Sequence, residues 1–62
     1  MNNIKAKRLQ AGYKQYKIAQ LLNISTRHYA RLENDERFPK QSELIQLSKI
    51  FNCAEKELKG DF

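Results

Sequence analysis

Residues 15–34, QYKIAQLLNISTRHYARLEN, decide how this chain folds. Ile18 and Leu22 recur four residues apart, which is the spacing of one helix face, and they predict a helix over residues 15–22. Asn23 tolerates a positive φ angle better than most residues, so we expect it to end that helix. The next helix signal follows almost at once, and the connection must therefore be a tight turn.

A second short helix is predicted over residues 26–33. Ser25 is a preferred N-cap, because its side-chain oxygen accepts hydrogen bonds from the free amides of a first helical turn. Tyr29 and Leu32 fall on the inner face of this helix. The opposite face carries a threonine, an alanine and two arginines, namely Thr26, Arg27, Ala30 and Arg31. A merely solvated face would mix glutamate with lysine, so this composition indicates a binding surface.

Charge is distributed unevenly along the chain. Residues 1–31 contain seven basic and no acidic residues, whereas residues 32–62 contain five basic and seven acidic residues. The net charge of +5 therefore conceals a strongly positive half, and the two-helix segment lies almost wholly within it. A one-sided positive field attracts a polyanion and speeds its capture. The charge pattern and the two-helix segment together favour nucleic acid as the partner.

Three further helices, over residues 3–11, 42–51 and 54–59, make the prediction all-α. Asn3 is the expected N-cap of the first helix, and Gly12 is expected to end it in the left-handed conformation. With 62 residues, the chain is expected to form a single domain, residues 1–62, around a thin core.

Two positions outside these helices lead to further expectations. Pro39 biases Phe38 toward an extended backbone, and we expect Phe38 to cover the core. Ala54 lacks a side-chain acceptor for capping, which suggests a loosely held fifth helix. Residues 60–62 are expected to be frayed.

Neither a membrane location nor secretion is expected. No apolar run approaches the roughly 18–20 residues of a membrane span, and the basic N-terminus lacks the apolar stretch of a signal peptide. We therefore expect a cytoplasmic protein.

The sequence offers no constellation for metal binding or catalysis. Cys53 and His28 are each the only residue of their type, so neither an internal disulfide nor a structural zinc site can form within the chain. Cys53 is expected to be a small buried apolar residue. Because no glycine-rich phosphate loop and no nucleophile–base pair is present, we expect no catalytic residues, no cofactor, no metal and no enzyme activity.

The residues described so far resemble the phage Cro and repressor-like helix-turn-helix proteins, often called the XRE family. The resemblance runs from Ile4 to Leu58. Its landmarks are Arg8, Gly12, Gln15, Ala19, Asn23, Ile24, Ser25, Glu33, Pro39, Leu44 and Leu47. It implies a lambda-repressor-like fold of five short helices, in which the second and third form the helix-turn-helix. Asp35 departs from the pattern because the family often has glycine there, and this leaves the geometry of the following loop open.

The resemblance also implies roles for individual residues. Arg8 is expected to pair with Glu33 and to tie the first helix to the end of the third. DNA bases are expected to be read by Thr26, Arg27, Ala30 and Arg31. The DNA backbone is expected to be contacted by Lys14, Gln15, Tyr16, Lys17, His28, Asn34 and Lys40. Lys14 departs from the usual serine or threonine cap, and a bound phosphate would fill the vacant place at the free amides.

The sequence allows two interpretations for the arginines of the third helix and for Tyr16. An arginine offers two parallel donors to O6 and N7 of guanine, so we expect a guanine in each half-site. Either Arg27 or Arg31 can read it, and the other arginine would then bind phosphate. Tyr16 either stacks along a sugar-phosphate strand or is plainly exposed.

The function implied by the resemblance is sequence-specific regulation of transcription, with repression the favoured outcome. The protein would be encoded by a bacterium or phage and act at the nucleoid. As a homodimer it would bind double-stranded DNA at a pseudo-palindromic operator, and no small-molecule ligand is expected. The acidic second half leaves open an alternative, a protein-interaction module such as an antitoxin or an anti-repressor partner. RNA binding would need more stacking aromatics on the surface than Tyr16 alone.

Overall fold

The computed structural model describes residues 2–60 and folds them into five helices without a strand in that range. In chain order the helices are α1 (Ile4–Ala11), α2 (Gln15–Leu22), α3 (Thr26–Glu33), α4 (Gln41–Phe51) and α5 (Glu55–Lys59). The all-α prediction is confirmed, and the predicted bounds of the second and third helices agree with the structure. The longest of the described helices has 11 residues, and none of them is long and apolar enough to cross a membrane.

One hydrophobic core joins the five helices. Its buried members in the described range are Ile4, Ile18, Ala19, Leu22, Tyr29, Leu32, Leu44, Leu47 and Leu58. Cys53 and Tyr13 are partly buried and pack against this cluster. The core is thin, as expected for a chain of this length.

Left-handed residues end three of the helices, and the sequence predicts Gly12 and Asn23 among them. Gly12 ends α1 at φ 81°, Asn23 ends α2 at φ 59°, and Asn52 ends α4 at φ 52°. Glycine and asparagine are the residues that adopt this conformation with least steric cost. The tight turn between α2 and α3 therefore follows from Asn23.

Asp35 also adopts the left-handed conformation, at φ 60°, after the end of α3. Its Oδ1 accepts a hydrogen bond from the backbone amide of Asn2 at 3.2 Å and another from Asn2 Nδ2 at 2.6 Å. Asn2 Nδ2 also donates to the Leu32 carbonyl oxygen at 2.7 Å. The loop that begins where the family often has glycine is therefore held by the N-terminal segment.

The side chain of Asn2, rather than that of Asn3, accepts from a free amide at the start of α1. Asn2 Oδ1 accepts from the Ile4 amide at 2.9 Å, whereas the Asn3 side chain makes no capping hydrogen bond. Asn3 Nδ2 instead donates to the Glu57 carbonyl oxygen at 3.0 Å. Asn3 is therefore the N-cap residue of α1, as predicted, but the predicted capping bond from its side chain was wrong, because that side chain bonds to α5 instead.

Phe38 does not cover the core. Its side chain is 73% exposed. Pro39 favours an extended backbone for the residue before it but does not determine the side to which that residue points. The expected inward placement of Phe38 was therefore wrong.

The fifth helix is tied down more firmly than Ala54 suggests. Glu57 Oε2 accepts from the Ala54 amide at 2.8 Å, which supplies half of a capping box without a cap side chain. The Asn3 amide donates to the Leu58 carbonyl oxygen at 2.9 Å, and the Leu58 side chain is buried. The expectation of a loosely held α5 was wrong. Of the residues 60–62 that are predicted to be frayed, Gly60 is the C-cap of α5, and residues 61–62 lie outside the described residues.

Replacing a left-handed residue with glycine should separate backbone strain from side-chain bonding. At Asn52, whose side chain makes no hydrogen bond within residues 2–60, glycine relieves strain and should leave the free energy of unfolding unchanged or raise it by up to about 1 kcal/mol. At Asp35, glycine also removes both hydrogen bonds from Asn2 and should lower the free energy of unfolding by about 1 kcal/mol. Urea denaturation of Asn52→Gly and Asp35→Gly measures both, and equal effects at the two sites would contradict the role of Asp35.

Candidate nucleic-acid interface

The outward side of α3 carries the residues predicted to read DNA bases. Thr26, Arg27 and Arg31 are exposed, and Ala30 is half-buried. The buried residues of this helix are Tyr29, Leu32 and Glu33. One side of α3 therefore lies in the core, and the side that carries both arginines is accessible to a ligand.

Ser25 fixes the start of α3 as predicted. Its side-chain oxygen accepts from the His28 amide at 3.0 Å. The first turn of α3 contains no acidic residue. The positive end of the α3 dipole is therefore not offset by a carboxylate within its own first turn.

The far end of α3 is fixed by a buried ion pair between Arg8 and Glu33. Arg8 Nε donates to Glu33 Oε2 at 2.5 Å, and Arg8 Nη2 approaches Glu33 Oε1 at 3.4 Å. Arg8 Nη1 also donates to the Tyr13 carbonyl oxygen at 2.8 Å. The structure thus contains the pair expected from the resemblance, and it connects α1 to the last residue of α3.

Gln15, the first residue of α2, also donates a hydrogen bond to the carboxylate of Glu33. Its Nε2 donates to Glu33 Oε1 at 3.0 Å. Sequence reasoning assigned Gln15 to the DNA backbone and missed this inward bond, since no local signal distinguishes the two uses of a glutamine at a helix start. Glu33 therefore brings α1, α2 and α3 together at one point.

The pKa values around Glu33 are set by burial and by these hydrogen bonds. Burial alone would raise the pKa of Glu33, but hydrogen bonds from Arg8 and Gln15 outweigh it and hold the pKa below the ordinary value of 4.5. The hydrogen bond to Glu33 raises the pKa of Arg8 in turn. Burial, reinforced by the carboxylate of Glu33, raises the pKa of Tyr29. At neutral pH the site therefore holds a charged pair beside a neutral phenol.

The start of α2 presents positive charge to solvent. Lys14 occupies the N-cap without a side-chain capping bond, and the first turn contains no acidic residue. Lys14, Tyr16 and Lys17 are exposed, while Gln15 is half-buried. The predicted vacancy at this helix start is confirmed, so free amides and lysine side chains are available together to an anion.

Two more of the predicted backbone contacts, Asn34 and Lys40, lie exposed beyond the end of α3. Asn34 Nδ2 is 3.5 Å from Glu36 Oε2, at the limit of a hydrogen bond. Lys40 is the N-cap of α4, and its amide donates to Glu43 Oε1 at 2.7 Å. The start of α4 therefore contains a carboxylate where the start of α2 has none.

His28 is the predicted backbone contact that turns toward the protein. Its Nε2 lies 3.3 Å from Glu43 Oε2, is enclosed, and makes no hydrogen bond within the described residues. Sequence reasoning missed Glu43, although a glutamate three residues after the start of a helix fits the second half of a capping box. Only the part of the His28 ring away from Nε2 is open to solvent.

Residues 2–60 contain no group of three or more histidine, cysteine, aspartate or glutamate side chains that could hold a metal ion. An open groove of about 470 Å³ runs between α1 and the end of α3, with Ala6 and Leu9 among its lining residues. It does not include the outward side of α3.

A helix-turn-helix family model matches residues 4–58, which is nearly the whole chain. The chain therefore belongs to this family, the Cro/repressor-like helix-turn-helix DNA-binding proteins. No curated protein and no solved structure matches the chain at a significant level. The five-helix arrangement agrees with a lambda-repressor-like fold, and the family membership makes the protein a DNA-binding regulator.

Acid should remove the contribution of Glu33 to stability. Because its pKa is lowered on folding, this contribution is present above about pH 4.5 and is lost as pH falls through the lower folded-state pKa. The free energy of unfolding should therefore fall more steeply below that pH for the wild type than for Glu33→Gln, and thermal melts across the range measure both.

At neutral pH, Glu33→Gln leaves Arg8 without its charged partner and should cost up to about 3–5 kcal/mol. Glu36→Gln is the control for losing a carboxylate at an exposed position near the end of α3. Parallel stability curves for the wild type and Glu33→Gln below about pH 4.5 would contradict the assignment.

Proposed function

We propose that this protein is a sequence-specific transcriptional regulator, most simply a repressor, that reads the major groove of double-stranded DNA with α3. The observation that carries the proposal is the outward side of α3, where Arg27 and Arg31 are exposed and no acidic residue intervenes. The recognition helix of a helix-turn-helix enters the major groove with such a side.

The chemistry of that side suits base edges. An arginine can donate two parallel hydrogen bonds to O6 and N7 of guanine, which discriminates by about 1–3 kcal/mol. Thr26 can donate through its hydroxyl or touch a thymine methyl group, and Ala30 allows close approach. We propose a guanine in each half-site, read by Arg27 or Arg31, with the other arginine on phosphate.

Phosphates on both sides of α3 would fix its position in the groove. On one side we propose contacts from the start of α2, made by Lys14, Gln15, Tyr16 and Lys17. On the other side Asn34 and Lys40 would meet the backbone, and His28 would do so only through the exposed part of its ring. Contacts of this kind set the register of the protein on DNA without reading sequence.

Recognition of an operator would require two copies of the chain. Two recognition helices about 34–36 Å apart fall in successive turns of the major groove, so the operator should be pseudo-palindromic. We propose that the dimer forms at least on DNA and that it acts at the nucleoid, in the cytoplasm of a bacterium or an infected cell. Blocking polymerase from its site is the simplest consequence.

Removing both arginines should weaken specific binding. Loss of the base-reading arginine alone is expected to weaken binding of Arg27→Ala/Arg31→Ala to a selected operator by about 5-fold or more, the factor that corresponds to about 1 kcal/mol. Lys49→Ala/Lys59→Ala removes the same charge from exposed positions of α4 and α5 and should bind nearly as well as wild type. Fluorescence anisotropy gives both affinities, and circular dichroism checks the fold.

If Arg27→Ala/Arg31→Ala is folded and still acts normally in cells, the proposal that α3 reads DNA fails. That result would support the alternative of a protein-interaction module.

Salt should weaken binding steeply. A protomer that makes about 4–6 phosphate contacts releases counterions, and log affinity should fall with log salt at a slope of about −4 to −5 per protomer. Titrations of a duplex from low to physiological salt measure the slope. A flat response would contradict the phosphate contacts.

A further inference from the structure

Glu33 determines which way the side-chain amide of Gln15 faces. The nitrogen and oxygen of a carboxamide have similar shapes, but an ionised carboxylate only accepts hydrogen bonds. Because Glu33 Oε1 lies 3.0 Å from Gln15 Nε2, the amide nitrogen faces the carboxylate. One Nε2 hydrogen is used in this bond, and the second remains available to another acceptor.

Gln15 is the first residue of α2, so its second Nε2 hydrogen belongs to a side chain at the start of that helix. Gln15 is half-buried, so part of its side chain reaches the surface beside Lys14 and Tyr16, both exposed. The amides at the start of α2 have no side-chain cap. The remaining N–H of Gln15 therefore belongs to the same group of donors as the open helix start.

The charge of Glu33 would oppose this use if it were unpaired. An unpaired carboxylate near the start of α2 would repel the phosphates of DNA. Arg8 prevents this by holding both carboxylate oxygens, and the Glu33 side chain is only 1% exposed. Glu33 can therefore act as a hydrogen-bond acceptor for Gln15 without presenting negative charge to DNA.

We propose that Glu33 is a positioning residue for DNA binding. Resting on the DNA-binding function proposed above, it holds the Gln15 carboxamide so that the free N–H of Nε2 donates to a backbone phosphate. Because Glu33 is the last residue of α3, it also fixes the position of this phosphate contact relative to the outward side of α3. A purely architectural ion pair would hold the helices together without orienting Gln15.

Two double variants separate positioning from architecture. Arg8→Met/Glu33→Leu replaces the ion pair by apolar residues, an exchange that often preserves stability. Arg8→Met/Glu33→Gln removes the same two charges but keeps an amide oxygen that can accept from Gln15. Both have the same net charge, and both lose the bond from Arg8 to the Tyr13 carbonyl. They differ in whether Gln15 has an acceptor.

The probe is a fluorescein-labelled duplex of random sequence, because phosphate contacts do not depend on base sequence. Thermal melting first checks that both variants are folded. Arg8→Met/Glu33→Leu should then bind the duplex about 3- to 10-fold more weakly than Arg8→Met/Glu33→Gln, the factor expected when one flexible side chain must be ordered on binding. Gln15→Ala should then weaken the glutamine variant more than the leucine variant. Equal affinities, or an equal effect of Gln15→Ala in both, would overturn the inference.

A measurement on the unmodified chain tests the inference even if a variant fails to fold. In a ¹⁵N-labelled sample, the two Nε2 protons of Gln15 give separate signals. On addition of the duplex, the proton bound to Glu33 should keep its chemical shift while the other moves. Movement of both, or of neither, would overturn the inference. If the wild type does not bind the duplex at all, the proposed function fails rather than the positioning step.

Discussion

A buried carboxylate at the end of α3 constrains the rest of the structure. Glu33 accepts hydrogen bonds from Arg8 of α1 and from Gln15 of α2. Leaving one of these charges without its partner inside the protein would cost several kcal/mol, so the pair favours the observed placement of α1 against α3, and the bond from Gln15 adds α2 to it. The arrangement of the helix-turn-helix therefore depends on a polar contact as well as on the apolar core.

Polar side chains also connect helices at the start of α1. Asn2 connects the start of α1 to Leu32 and Asp35, and Asn3 connects it to α5 through Glu57 and the Leu58 carbonyl. These contacts add to the core packing of Ile4, Leu32 and Leu58 in holding α1 against α3 and α5. The outward side of α3 stays exposed while its buried side is held by the core and by these contacts.

The sequence predicted best what depends on neighbouring residues. Asn23 and Ser25 specified the turn between α2 and α3, because left-handed tolerance and N-capping are local properties. The bonds of Asn2 to the end of α3 join residues about 30 positions apart, and local signals do not reveal such contacts. The Arg8–Glu33 pair came from the family resemblance, whereas the inward bond of Gln15 required the structure. Base and phosphate contacts remain predictions, since they depend on DNA as well as on the chain.

Selection of bound sites from random DNA duplexes tests most directly whether this protein recognises DNA by sequence. If α3 reads the major groove, repeated selection should enrich a short motif that contains guanine in each half. The two halves should be related by approximate two-fold symmetry, with centres about one helical turn apart. A folded protein that enriches no motif would contradict the claim that this chain recognises DNA by sequence.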